Sequence, residues 1–192
     1  ATTGNASISR VNTDGDLTNV VSFSGSVNNP GAVVTIASAG LKFAKTADGD
    51  VSADSLAITT GASGDFTVYV FSHVAGTATI SYTVGAVTKT TTLTTAAAAY
   101  NEGKVVTITT NDANGYVAPG STVRATVKVT DEYGNPVQNP GTTASLKVTV
   151  AGPGFVSSLP SSTDANGETA VFSVLLGSAD SGDLVITATY DA

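Results

Sequence analysis

The chain says nearly the same thing twice, at a spacing of roughly one hundred residues. Thr60-Gly61-Ala62-Ser63-Gly64-Asp65-Phe66-Thr67-Val68 returns as Thr163-Asp164-Ala165-Asn166-Gly167-Glu168-Thr169-Ala170-Val171, and Gly76-Thr77-Ala78-Thr79-Ile80-Ser81-Tyr82 returns as Gly182-Asp183-Leu184-Val185-Ile186-Thr187-Ala188. A repeat of that length is a whole domain rather than a solenoid unit. The 192 residues therefore divide into two domains, residues 1–98 and 99–192, with the joint near Thr95–Glu102. Each half is long enough to bury a modest core without a disulfide or a metal.

The type of domain follows from which residues fill it. Only 12% of residues are charged while 41% are hydrophobic, and Thr, Ser, Ala, Val and Gly take up the difference. Thr and Val favour strands because β-branched side chains suit a pleated surface. Strands are predicted near Ala6–Val11, Thr18–Val27, Val33–Ala37, Leu56–Thr59, Asp65–His73, Thr77–Val84 and Val87–Thr95. In the second half they are predicted near Val105–Thr110, Thr122–Asp131, Ala144–Ala151, Glu168–Leu176 and Asp183–Tyr190. Two of them alternate cleanly. Val123, Ala125, Val127 and Val129 share one side, with Arg124, Thr126, Lys128 and Thr130 on the other. Ala78, Ile80, Tyr82 and Val84 oppose Thr77, Thr79, Ser81 and Thr83. Period two with one apolar side is the mark of a half-buried antiparallel strand. Many such strands at short spacing imply an all-β sandwich or barrel.

Two stretches fall outside the repeat. Ala96–Ala99 reads as a short linker, with a single helical turn as the other reading, because an isolated helix this short is not stable. Aligning Val34-Thr35-Ile36 with Val148-Thr149-Val150 leaves 24 residues from Gly40 to Gly64 against 13 from Gly154 to Gly167. The first half then carries an insertion of 11 residues, roughly Lys45–Ser55.

Charge and composition exclude several functions. The net charge is -7 and the pI about 4.3, so no nucleic-acid partner is expected, since phosphate binding needs a basic face. With no Cys there are no disulfides or thiolate metal sites. No apolar run reaches membrane-spanning length, so no membrane insertion is expected. The absence of Met, even at position 1, marks the chain as processed or excerpted.

Few residues offer chemistry. His73 is the sole histidine and stands where the second half has Leu176, which makes it a packing or strand-end position. A Ser-His-Asp machine would need a nearby carboxylate and an activated Ser, and no G-x-S-x-G elbow is present. Asp131 and Glu132 are neighbours on a strand and so point to opposite faces, which unsuits them as an acid–base pair. Gly152-Pro153-Gly154 lacks the strand–loop–helix context of a phosphate cradle. No catalytic residue and no cofactor are expected. The inserted segment places Asp48, Asp50 and Asp54 within seven residues, beside Gly49. Calcium takes several oxygen ligands from flexible loops, so this run reads either as a solvated acidic loop or as a calcium site. It is not an EF-hand, because the fifth-position Asp and closing Glu are missing. Asn12, Asp14 and Asp16 form a weaker second candidate.

The second half contains Val129-Thr130-Asp131-Glu132-Tyr133-Gly134-Asn135-Pro136-Val137, followed by Thr163-Asp164-Ala165-Asn166-Gly167. This resembles bacterial immunoglobulin-like domains of the invasin/intimin type, in which a D-x-x-G-N-P-V turn joins two early strands and a T-D-x-x-G turn opens a later one. Gly134 suits positive φ, Asn135 tolerates it and Pro136 fixes the exit. The resemblance covers about Tyr100–Ala192, and Val33–Thr95 more weakly. The first half has no D-x-x-G-N-P-V turn. The chain also resembles repeat segments of bacterial, especially actinobacterial, surface and surface-layer proteins. The resemblance implies two tandem antiparallel Ig-like β-sandwiches in a structural protein of the bacterial cell surface. Expected partners are other copies of the chain or neighbouring modules, which would form a surface layer, filament or stalk, with strand addition by Ala6–Val11 as one route. The alternative is an adhesin gripping a host or glycan ligand with loops at one sandwich end. A cluster of exposed aromatics would favour it, since aromatics concentrate binding energy. Aromatics are only 6% of the chain.

Overall fold

In the computed structural model, residues 6–8, 20–47, 54–112, 114–141 and 145–191 are described. They form two units, Ala1–Ala97 and Ala98–Ala192, each with its own contacts. Apart from a 3-10 turn at Tyr100–Glu102, the regular elements are all strands.

The first unit has eight strands among the described residues: β1 (Ala6–Ile8), β2 (Val21–Ser26), β3 (Val33–Ala37), β4 (Lys42–Ala44), β5 (Ser55–Thr59), β6 (Asp65–Phe71), β7 (Gly76–Val84) and β8 (Val87–Thr95). One sheet runs β1-β8-β7-β3-β5 and the other β2-β6-β4. The two sheets share a single core: Phe23, Phe43, Val68 and Val70 from one pack with Val34, Ile36, Ile80 and Leu93 from the other. Burial alternates as the sequence requires, for instance Phe66, Val68 and Val70 inward on β6 and Asp65 and Thr67 outward. The outward Thr and Ser residues are not idle. Directly opposed hydroxyls bond across strands, Ser24 to Thr67 at 2.9 Å, Thr77 to Thr94 at 3.0 Å and Thr83 to Thr88 at 2.9 Å. Such pairs stabilise a solvated sheet face without charge.

Three features of this unit differ from the sequence reading. β4 is a strand the composition did not reveal, because three residues are too few to show a period. β5 lies on the far side of β3, and β4 pairs with β6 in the opposite sheet, so the expected insertion crosses from one sheet to the other. Ala6–Ile8 runs parallel to Leu93–Thr95 within its own unit and is already paired, while residues 9–11 lie outside the described residues.

The second unit has β9 (Val105–Thr110), β10 (Thr122–Thr130), β11 (Ser145–Ala151), β12 (Phe155–Val156), β13 (Phe172–Leu175) and β14 (Val185–Asp191). They form the sheets β12-β13-β10-β9 and β11-β14. Val123, Ala125, Val127 and Val129 are all buried. Ala98 and Ala99 are buried too, and Ala98 bridges Val137, so half of the alanine run belongs to the body of this unit.

The repeated motif makes the same turn in both units. In the first, Gly64 N donates to Gly61 O and Gly61 N to Asp65 O, both at 2.9 Å. In the second, Gly167 N donates to Asp164 O at 2.9 Å and Asp164 N to Glu168 O at 2.8 Å. Each turn then docks on an early strand, through Val27 N to Gly64 O at 2.9 Å and Val129 N to Gly167 O at 2.8 Å. The preceding threonine is buried in each case. Thr60 bonds Ala32 O and Asn29 O, and Thr163 bonds Asn139 O and Val137 O. Both glycines have positive φ, 80° and 72°. A Cβ on Gly64 would lie 2.0 Å from Val27 O, and one on Gly167 would lie 2.4 Å from Val129 O.

Beyond the turn the halves diverge. Gly25 sits under the Phe66 ring, whereas at the matching place Val127 meets Thr169, a large–small pair exchanged across the sheet. Thr169 bonds Val127 through both its amide and its hydroxyl, each at 2.9 Å, and regular pairing resumes only at Phe172. Val171, aligned with buried Val68, is consequently exposed, and Phe172 and Val174 turn inward instead. The ladders also differ: Thr35 pairs with Thr83, but Thr149 pairs with Thr187 rather than with Thr189, the residue that repeats Thr83. A slip of two residues keeps every side chain on its own face, so the hydrophobic pattern does not oppose it.

The Asp131 turn has the form the resemblance implies. Asp131 is buried, its Oδ1 accepts from Tyr133 N at 2.9 Å and Asn135 N at 2.8 Å, and its Oδ2 accepts from Asn135 Nδ2 at 2.7 Å. Gly134 has φ 86°. Glu132 is exposed; β10 ends at Thr130, so Asp131 and Glu132 stand in the turn and not, as expected, on a strand. The first unit makes the same connection with Asn29-Pro30-Gly31, where Ala32 N donates to Asn29 O at 3.2 Å and Gly31 has φ 76°.

Two expectations follow. Gly64→Ala and Gly167→Ala each combine a left-handed backbone, costing about 1–2 kcal/mol, with a clash against backbone, adding about 1–3 kcal/mol. Gly85→Ala, at φ 57° with open space around it, bears only the first cost. Thermal unfolding should show a drop of roughly 10 °C or more for the first two variants and about half that for Gly85→Ala. The second concerns Tyr190, whose hydroxyl donates to Tyr100 O at 2.6 Å. Burial, and then the Tyr100 charge, raise its pKa above the ordinary 10.0. A raised acid stabilises the fold below its unfolded pKa and loses that contribution as pH rises through the folded value. Denaturant titrations at pH 8 to 11 should show the difference between wild type and Tyr190→Phe shrinking above pH 10.

Candidate functional site

The acidic insertion is the first candidate. Asp48 and Asp50 lie outside the described residues, as do Asn12, Asp14 and Asp16. Asp54 stands immediately before β5, and its backbone carbonyl accepts from Ser38 N at 3.2 Å. Its carboxylate is exposed and pairs with Lys42 Nζ on β4 at 2.8 Å. That ammonium already supplies a positive charge to Asp54 Oδ1. Among the described residues no group of three or more His, Asp or Glu side chains is placed to hold a metal ion.

His73 follows β6 and packs edge-on against Phe71, with ring centres 5.7 Å apart. The adjacent Ser72 is buried, and its hydroxyl is taken up by the backbone. It lies 3.1 Å from Gly40 O and 2.7 Å from Val74 O, and accepts from Val74 N at 3.0 Å. Bonds of this kind tie the loop after β6 to the turn before β4. They hold the Ser72 hydroxyl among backbone groups.

Asp164 shapes the repeated turn. Its Oδ1 accepts from Asn166 N at 2.8 Å and Glu168 N at 3.0 Å. The Glu168 amide bond, helped by those from Asn166 and opposed by slight desolvation, holds its carboxyl below the ordinary 3.8. In the first unit Gly61 makes the same backbone bonds with no side chain, so this carboxylate is a turn brace.

One concave feature was not visible in the sequence. A groove of about 550 Å³ opens at one side of the second unit. Ile108 on β9, Val123 on β10, and Leu184 and Ile186 at β14 form its apolar wall, and Asp112, Asp180 and Asp183 lie around it. Tyr116 stands at its edge, 90% exposed. Asp112 Oδ1 accepts from Asn114 N at 3.0 Å, but its Oδ2 is buried with no donor among the described residues. The exposed aromatics among the described residues, Tyr100, Tyr116, Tyr133 and Phe155, all belong to this unit. A groove whose wall joins β9 and β10 to the distant β14 leaves no local motif.

No family model matches the sequence, and no curated protein matches it. Several solved structures are similar. The D0-D1 domain of intimin matches with a TM-score of 0.34 and 18% identity over 96% of this chain and 96% of that one. Invasin, a bacterial integrin-binding protein, matches with a TM-score of 0.41 and 15% identity, over all of this chain but 35% of its own length. Domains 5-6 of the S-layer protein SbsC match with a TM-score of 0.34 and 15% identity, over 100% of this chain and 94% of that one. The all-β architecture itself rests on the strands and sheets described above.

Proposed function

We propose that this chain is a structural part of an extracellular protein of the bacterial cell surface, whose tandem Ig-like modules build a surface layer, filament or stalk. The observation that carries this reading is β11, whose edge away from β14 is unpaired among the described residues. Edge strands are usually blunted by charge, proline or a covering element. Here β11 carries one charge, Lys147. Contacts between copies and between successive modules are the natural use of such edges. The outer faces of the first unit are neutral and hydroxyl-rich, which suits close packing against other copies. In this reading the chain is not an enzyme, and Ser72 and His73 serve packing.

Sedimentation velocity over a range of concentrations tests the proposal, with electron microscopy of the pelleted material. Large ordered assemblies are expected; a strictly monomeric chain at high concentration, with or without calcium, overturns it.

Calcium at Asp48, Asp50 and Asp54 belongs to the same proposal, supported by the clustering of oxygen ligands in a segment peculiar to the first unit. Calorimetric titration should give binding heat for wild type and less for Asp50→Ala, and binding to the native state should raise its stability by mass action. Indistinguishable heats count against the site.

The exposed Tyr116 beside the groove favours a second reading, an adhesin that holds a host or glycan ligand at this end of the sandwich. A monomeric chain that binds a glycan and loses that binding in Tyr116→Ala would replace the first reading with this one.

A further inference from the structure

One outer sheet face of the first unit carries neither charge nor ring. On β7 and β8 the outward positions, every second residue from Thr77 to Thr83 and from Thr88 to Thr94, are threonine or serine. On β3 and β5 the same side holds only Val, Ala, Thr and Ser. Lys89 belongs to the other side of β8, with Thr91 and Leu93. The other outer faces differ: Asp65 stands on that of β6, Arg124 and Lys128 on that of β10, and Lys147 on that of β11. The hydroxyls of the neutral face are also engaged within it. Thr77 bonds Thr94 at 3.0 Å, Thr83 bonds Thr88 at 2.9 Å, and Ser81 Oγ donates to Ala37 O at 3.0 Å. Drying a hydroxyl is costly when it is left without a partner. This face can therefore be covered by a surface that offers it no hydrogen bonds.

We propose that a second copy of the chain covers it: two first units pack face to face through β8-β7-β3-β5, related by a two-fold axis. The proposal rests on the reading that copies of the chain assemble, and it names the face they share. Charge selects the occupant. The chain carries a net charge of -7, so copies repel each other, and least where both surfaces are neutral. An ionic partner finds no charge here to pair with, and a sugar finds no aromatic ring to stack on. A second copy presents the same rows at the same spacing, so the small side chains of one face settle between the rows of the other, as in packed sheets. Size sets the strength. Two strands of nine residues and two of five, at about 3.3 Å per residue and about 4.8 Å between strands, span about 450 Å² per copy. That is the size of a weak, reversible contact, which an array would strengthen by repetition.

The test is sedimentation equilibrium of the full chain, from micromolar to millimolar concentration, with variants checked for folding by thermal unfolding. Thr79→Lys and Thr90→Lys each place a charge at an exposed position of the face, and the two-fold axis puts it on both sides of the contact. Thr67→Lys makes the same change of charge on the exposed face of the other sheet. Thr79→Val keeps the face neutral and the side chain's shape. The dissociation constant of the pair is expected to rise about tenfold or more in Thr79→Lys and Thr90→Lys, and to stay within about twofold in Thr67→Lys and Thr79→Val. Added sodium chloride should tighten wild-type pairing, because it screens the repulsion between copies and there is no ion pair in the contact to weaken. Wild-type association that persists equally in both lysine variants overturns the face while leaving the assembly reading standing, and so does equal loss in Thr67→Lys. Discrete pairs that disappear in the lysine variants but never grow into larger assemblies uphold the face and overturn that reading. A wild type that stays monomeric at millimolar concentration overturns both.

Discussion

The contact on which both units depend is the docking of a glycine turn onto the backbone of an early strand. Gly64 lies against Val27 O and Gly167 against Val129 O so closely that a single methyl has no room. The amide of the strand residue donates back to the glycine carbonyl in each unit. Backbone groups removed from water need partners, and this arrangement supplies them where one strand ends and the next begins. It also sets where the following strand starts, and hence which residues of β6 face the core. The buried Thr60 and Thr163 secure the other side of the turn, tying it to the connection that leads into the next strand.

Around that common joint the units solve the connection after the early strand differently. The first uses a short Pro-Gly turn at Asn29–Ala32. The second uses a longer loop built on a buried carboxylate, with Asp131 satisfied by two amides and one side-chain NH₂. A buried charge is tolerable only when its lone pairs are met, and three charge-assisted bonds do this locally. Asn139 and Thr163 then carry the loop back to the glycine turn, with Asn139 N donating to Thr163 Oγ1 at 2.8 Å and Gly141 N to Asn139 Oδ1 at 2.9 Å. The result is a continuous polar seam inside an otherwise apolar unit.

The low charge of the chain has a structural counterpart. Where many domains place Lys and Glu on the outer face of a sheet, the first unit places opposed hydroxyls that bond to each other. This satisfies polar groups without the long-range repulsion that keeps copies apart.

Much of this was legible in the sequence because the relevant signals are local. Alternation along Val123–Thr130 and Thr77–Val84 fixed which side is buried, since a strand has only two faces. The Thr-x-x-x-Gly turns and the Asp131–Val137 loop were readable because positive φ, an Asx side chain and a following Pro act within a few residues. What required tertiary structure was everything set by pairing partners. β4 and β12 are too short to show a period. The two-residue slip of β11 against β14 and the outward turn of Val171 leave the hydrophobic pattern acceptable, so no sequence signal opposed them. The pairing of Lys42 with Asp54 joins a predicted candidate to a strand that was not predicted. The groove draws its lining from β9, β10 and β14, strands of two different sheets. The alternation within each strand was set by the sequence itself; only the tertiary structure decided which strands pair and in what register, because pairing joins residues far apart along the chain.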